Sequence, residues 1–122
     1  MDLDEYQKSA MRTAGDLSDK YDVDGNGGLI TSALGLAGEA GEFSDIVKKW
    51  WAHGHPLDVE KLDKEAGDVL WYLARYAAWR KKSLTQLAHQ NIDKLRSRYP
   101  NGFETSRSMN RTEGPAWTPT RL

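Results

Sequence analysis

Two short acidic pairs carry the chemistry that this chain could perform. Glu39 and Glu42 form an E-x-x-E pair, and Glu65 and Asp68 form an E-x-x-D pair. On a helix, residues three apart share one face, with Cβ atoms roughly 5–6 Å apart. Pairs on two neighbouring helices would therefore set four carboxylates around one small volume. At about 5 Å and an effective dielectric of about 20, each like-charge contact costs roughly 3 kcal/mol. A fold keeps such a group only with a cation between the carboxylates or with raised pKa values. Mg²⁺ takes carboxylate, water and phosphate oxygens together. The stretch Gly35–Asp68 thus reads as a magnesium site for phosphate chemistry. Such an ion polarises a phosphoryl group and lowers the pKa of a bound water. Glu39 or Glu42 could then accept that water's proton, and sequence does not choose between them.

The elements that must position these groups are helical. Leu3, Tyr6, Ala10, Ala14 and Leu17 recur at helical spacing, so a first helix is expected from Asp2 to about Asp19. Tyr21–Gly28 is a loop rich in Asp, Asn and Gly. Asp22, Asp24 and Asn26 imitate half of a calcium loop, but Ala33 stands where its bidentate Glu belongs. A second helix is expected from Leu29 to about Ala52, with Ala33, Leu36, Ala37, Ala40, Phe43, Val47 and Trp50 as its apolar face. Gly35, Gly38 and Gly41 recur inside it. Each costs about 1 kcal/mol against Ala, which suggests close approach of another backbone.

His53–Leu57 supplies a break, and Asp58 can cap a third helix that runs to about Arg80. Leu62, Ala66, Val69, Leu70, Leu73 and Ala77 line its core face. The short turn makes the second and third helices antiparallel, which brings the two acidic pairs within roughly one helical turn of the same height. Ser83 and Gln86 form a capping box for a fourth helix ending near Arg98. Asn91 and Lys94, three apart, return to the height of the carboxylates, where an amide and an ammonium could hold phosphate oxygens. Residues 104–122 are rich in Ser, Thr, Arg and Pro and read as an extended or partly disordered tail, or a strap over the site or a neighbouring subunit.

Together these motifs resemble the MazG-like, all-α nucleoside triphosphate pyrophosphohydrolases. The resemblance rests on Gly35-Leu36-Ala37-Gly38-Glu39-Ala40-Gly41-Glu42, on Glu65-Ala66-Gly67-Asp68-Val69-Leu70-Trp71-Tyr72, and on Asn91-Ile92-Asp93-Lys94-Leu95 leading into Arg98–Phe103. It covers about residues 3–103 and implies a four-helix, MazG-like bundle over 1–103 that oligomerises as a homodimer or homotetramer. It implies Mg²⁺-dependent hydrolysis of nucleoside triphosphates, deoxynucleotides foremost, to a monophosphate and pyrophosphate, with Mn²⁺ as a substitute ion. Nucleotide-pool control follows from the family. Glu39, Glu42, Glu65 and Asp68 match the metal ligands, Asn91 and Lys94 match phosphate-binding positions, and Tyr72 matches a tyrosine near the nucleotide. The motifs do not separate dUTP, dCTP or phosphoribosyl-ATP as preferred substrates. A non-catalytic nucleotide- or metal-sensing protein is the competing class, though it need not retain four carboxylates.

Composition narrows the field further. A chain of 122 residues is one domain, and its net charge of -1 implies no broad pull on a nucleic-acid polymer or a membrane surface. With no cysteine, disulfides, thiolate zinc sites and cysteine nucleophiles are excluded. No apolar run suits a membrane span and the acidic N-terminus does not look like a signal peptide, so the cytoplasm is the default. His53, His55 and His89 read as solvent-exposed, because neither acidic pair ends in His as a di-iron bundle requires. Trp50, Trp51, Trp71, Tyr76 and Trp79 read mostly as core or subunit interface, with one or two free to stack on a base. Lys49 lies two turns beyond Glu42 and reads as a solvated lysine.

Overall fold

The computed structural model describes residues 1–15 and 25–111. The described residues form five helices and no strand: α1 (Leu3–Met11), α2 (Gly27–His53), α3 (Val59–Trp79), α4 (Leu84–Arg98) and α5 (Thr105–Met109). The all-α class expected from the periodicity is observed. The chain divides into two compact units, Met1–Leu87 and Ala88–Leu122, with α4 running through the boundary.

The caps explain where the helices begin and end. Asp2 opens α1 by accepting a hydrogen bond from the Glu5 amide at 2.8 Å, and Glu5 accepts one from the Asp2 amide at 2.8 Å. This reciprocal pair satisfies donors that a helix start leaves free. The first helix is shorter than the apolar spacing predicts. It stops at Met11 rather than near Asp19, and Gly15 follows in the left-handed region at φ 68°. Leu17, Asp22 and Asp24 lie outside the described residues. Gly27, expected in the loop, is already the first residue of α2.

At its other end α2 stops at His53, where Gly54 at φ 70° closes the helix and donates its amide to the Lys49 carbonyl. Asp58 caps α3 as expected, accepting from the Lys61 amide at 2.9 Å. The Ser83–Gln86 box also forms: the Ser83 amide donates to Gln86 Oε1 at 2.8 Å, and the Gln86 amide donates to Ser83 Oγ at 3.1 Å. Past Phe103 the expected extended tail instead begins with α5.

In the first unit, α2 pairs with α3, and α1 packs on α3. Ala74, Ala77 and Leu84 are buried, with Tyr6, Ala10, Met11, Leu70, Leu73 and Leu87 packed around them. Gln7 ties α1 to the turn after α3: its side-chain nitrogen donates to the Lys82 carbonyl at 3.0 Å, and its oxygen accepts from the Leu84 amide at 2.7 Å.

The α2 face turned to α3 is not the apolar one. Gly28 lies against Trp79 and Gly35 against Tyr72, while Ser32 is buried between them in sequence. Continued at the same spacing, this small-residue stripe reaches Glu39 and Glu42. The face expected to be core is consequently left outward: Ala33, Ala37, Ala40, Phe43, Val47 and Trp50 are all exposed, and Leu36 is half-buried.

Candidate metal and phosphate site

Three of the four sequence-predicted carboxylates converge. One carboxylate oxygen from each of Glu39, Glu42 and Glu65 lies within 4.8 Å of the other two. Glu65 is only 7% exposed, Glu39 is half-buried and Glu42 is exposed. The antiparallel α2–α3 pairing makes this possible, because its seam is built from small residues and then carboxylates. A buried carboxylate such as Glu65 requires a partner.

Asp68 is exposed and stands outside this three-oxygen group, yet its charge reaches both Glu39 and Tyr6. The Glu39 pKa is raised, first by desolvation, then by the charges of Glu42, Asp68 and Glu65 and by a hydrogen bond shared with Glu65. The Tyr6 pKa is raised by burial and then by Asp68. A set of hard oxygen donors whose charges repel one another is what a divalent cation would neutralise, so these residues fit a magnesium-type ion.

Beside the carboxylates opens a cavity of about 440 Å³, lined by Gly38, Gly41, Glu42, Asp45, Ile46, Lys49, Lys61 and Glu65. Its size falls in the range of small-molecule pockets. A Cβ at Gly38 or Gly41 would meet nothing within 4 Å. These two glycines therefore leave room rather than admit another backbone, which corrects the close-approach expectation. Of Gly35, Gly38 and Gly41, only Gly35 is in close contact, and with the ring of Tyr72 rather than with backbone.

Two cations face this cavity. Lys49 is held by Asp45 at 2.6 Å, and Asp45 also takes Lys48 at 2.9 Å. The Asp45 pKa is lowered to about 2 by its hydrogen bonds with Lys49 and then Lys48. Lys61 was not singled out by the sequence reading. The signal that could have found it is its position four residues before Glu65, one turn back on the same face of α3.

Tyr72 is half-buried on α3 and makes an edge-on contact with Trp71 at 4.9 Å between ring centroids. Asn91 and Lys94 are exposed on α4, in the second unit. His53, His55 and His89 are all exposed, as expected, and none joins the acidic group. Trp50 and Trp51 are 42% and 80% exposed, whereas Trp71, Tyr76 and Trp79 are half-buried.

Comparison with known proteins shows the family. A family model described as the MazG nucleotide pyrophosphohydrolase domain matches residues 29–103, which holds every residue of the acidic group. The Gene 37 protein of Mycobacterium phage L5 is 34% identical over 115 residues, covering 91% of this chain and 100% of that protein. No solved structure matches the chain. Among the described residues, no helix is long and apolar enough to cross a membrane.

Proposed function

Since the chain belongs to the MazG nucleotide pyrophosphohydrolase family, we propose that it hydrolyses nucleoside triphosphates, deoxynucleotides foremost, to a monophosphate and pyrophosphate. The observation that carries this reading is the convergence of Glu39, Glu42 and Glu65 within 4.8 Å beside a cavity of about 440 Å³. A protein that only sensed nucleotides would not need such a carboxylate group beside an open pocket.

Glu39, Glu42 and Glu65 would hold Mg²⁺, with Asp68 completing the negative field or joining after a side-chain rotation. When bound, the ion supplies Lewis-acid polarisation of the phosphoryl oxygens. The remaining work belongs to this chain's own groups. One of Glu39 and Glu42 takes the proton of the attacking water. The new oxygen–phosphorus bond forms at the α-phosphorus, the α–β anhydride bond breaks, and its electron pair leaves with pyrophosphate. Lys49 and Lys61 sit where they offset charge on the polyphosphate. Phosphate contacts by Asn91 and Lys94, and a nucleotide contact by Tyr72, rest on residue chemistry and on the family motif.

A homodimer or homotetramer is part of this proposal. The outward apolar face of α2, with Phe43 37% and Val47 36% exposed, supports it, because apolar faces of that extent are normally covered by a partner. Nucleotide-pool control in the cytoplasm is the setting that this chemistry suits.

The test is a panel of nucleoside and deoxynucleoside triphosphates incubated with Mg²⁺ and analysed for products. Release of pyrophosphate with the matching monophosphate is expected, and EDTA should stop it. Tight nucleotide binding with no turnover would favour a sensor, and release of orthophosphate would place cleavage at another bond.

A further inference from the structure

The two compact units differ in the sign of their charge. Met1–Leu87 holds 11 Lys and Arg against 15 Asp and Glu, whereas Ala88–Leu122 holds 6 against 3. Four of the cations in the second unit are arginines at helix ends. Arg96 and Arg98 stand in the last turn of α4, Arg107 in the last turn of α5, and Arg111 two residues past it. An excess of one sign confined to one part of a chain points to a ligand of the other sign.

Three of these arginines share a cavity. Arg98, Arg107 and Arg111, with Ser97 and Asn110, line a space of about 90 Å³ within the second unit. That is well below the roughly 300 Å³ at which pockets for drug-sized molecules begin. It equals about three water volumes, the bulk of one phosphoryl group rather than of a whole nucleotide.

Two ordinary explanations do not account for this convergence. Basic side chains often close helix C-termini by binding the last carbonyls. At the end of α5 Asn110 does this work: its backbone amide and its side-chain nitrogen each donate to the Ser106 carbonyl at 3.0 Å. At the end of α4 the Tyr99 amide donates to the Leu95 carbonyl at 2.8 Å. Ion pairing is the other explanation. Among the described residues only Arg107 of the three has a carboxylate partner, Glu104 at 3.3 Å, and Arg98 is half-buried without one. Guanidinium groups gathered at one cavity repel one another, and an anion with several acceptor oxygens removes that repulsion.

We propose that Arg98, Arg107 and Arg111 bind a terminal phosphate group, as inorganic phosphate or as the end of a phosphate monoester. Such a group brings close to two charges and three acceptor oxygens, which planar guanidinium forks match. A backbone phosphodiester has one charge and belongs to a long line of others, and a cavity of this size does not extend along such a line. The site uses no carboxylate and no metal, so it does not rest on the triphosphate reading above.

The test is calorimetry on the full-length chain in EDTA, which removes metal-dependent binding at the carboxylates. The probes are inorganic phosphate, thymidine monophosphate and a short single-stranded DNA without terminal phosphates. Saturable binding of phosphate or thymidine monophosphate, one per chain, is expected, and the tighter of the two names the source. Losing one charge-assisted contact corresponds to about tenfold in affinity. Arg111→Gln, at an exposed position, and Arg98→Lys, which keeps the charge but loses the fork, should each weaken binding by about that factor. Arg96→Gln takes the same charge from α4 outside the cavity and should change it by no more than about twofold. Failure of both small phosphates to bind saturably would overturn the inference. So would an equal loss in Arg96→Gln and Arg111→Gln, the mark of a diffuse field, or binding that survives both Arg111→Gln and Arg98→Lys. Tight binding of the unphosphorylated DNA that inorganic phosphate does not displace would overturn it too, and would make this surface one for a nucleic-acid backbone. Thermal melts accompany each titration, and Arg111→Gln decides alone where Arg98→Lys does not fold.

Discussion

A side chain on residue 35 would occupy the space held by the ring of Tyr72. Gly35 and Tyr72 thus set how closely α2 and α3 approach at the level of the acidic group, one turn from Glu39 and Asp68 respectively.

This contact makes Gly35→Ala the informative glycine substitution. Alanine gains about 1 kcal/mol of helix propensity anywhere in a helix interior. At residue 35 that gain meets overpacking against an aromatic ring, which typically costs 1–3 kcal/mol. Gly35→Ala should therefore lower the melting temperature and the rate together, because Tyr72 must move. Gly41→Ala meets open space and should raise the melting temperature, while narrowing the cavity that it lines. Thermal denaturation of both variants, beside kcat and KM, checks the pair; a stabilised Gly35→Ala would contradict this packing.

The carboxylates should separate by role. Glu42→Gln removes an exposed group, so turnover should fall by about 10²-fold or more with little change in stability. Glu65→Gln alters a buried group and should weaken the metal response of the melting temperature as well as turnover. Comparing Glu39→Gln with Glu42→Gln in single-turnover assays at saturating Mg²⁺ identifies the proton acceptor, which is the variant that stays slow when metal binding is restored. Equal rescue of both by excess metal would leave neither as the base.

The raised pKa of Glu39 carries a signed prediction about stability. A carboxyl whose folded pKa lies above its ordinary value holds its proton more tightly when folded. Its stabilising contribution is present at acid pH and is lost as pH rises through the ordinary carboxylate value to the folded one. Without metal, Glu39→Gln should therefore be more heat-stable than the wild type near neutral pH, and this advantage should fade toward pH 4. Saturating Mg²⁺ should reverse the order at neutral pH, since a ligand at a hundred times its Kd adds about 2.7 kcal/mol to the form that binds it. Melting curves with EDTA and with Mg²⁺ at several pH values decide. A wild type that is the more stable at neutral pH in EDTA would show that the carboxylates do not repel.

Much of this architecture was legible because it depends on short-range rules. The Asp58 cap, the Ser83–Gln86 box and the break at Gly54 are local chemistry, and each stands where its residues are. The convergence of Glu39, Glu42 and Glu65 was also readable, because an antiparallel helix pair has only one register for a given turn. What a single chain hides is which face of a helix meets which neighbour. Ala33, Phe43 and Val47 read as core by type, but the seam with α3 runs through Gly28, Ser32 and Gly35 instead. The buried Arg75 went unnoticed for a related reason: a charged residue on a helix is assumed to face water until packing shows otherwise. The first helix ends at Met11, where the Arg12, Thr13 and Ala14 amides bond three residues back instead of four, a tightening that helical spacing alone cannot announce.

The outward face of α2 yields the last prediction. Among the described residues few large hydrophobic residues are buried: Leu84 is, while Ile30, Leu34, Phe43, Val47 and Trp51 are 55%, 70%, 37%, 36% and 80% exposed. At about 25 cal/mol per Å² of apolar surface removed from water, covering such a face supplies several kcal/mol toward association. Leu34→Glu places a charge beside Ile30 and Ala37 at the N-terminal end of this outward surface, without touching the seam with α3. Light scattering after size exclusion should give an oligomer for the wild type and a smaller species for Leu34→Glu, with lower thermal stability because the apolar face is then left in water. Turnover should fall in step with dissociation, measured by diluting the wild type through its association range. A wild type that elutes as a stable monomer, with Leu34→Glu unchanged in stability, would mean that this face has no second copy to meet.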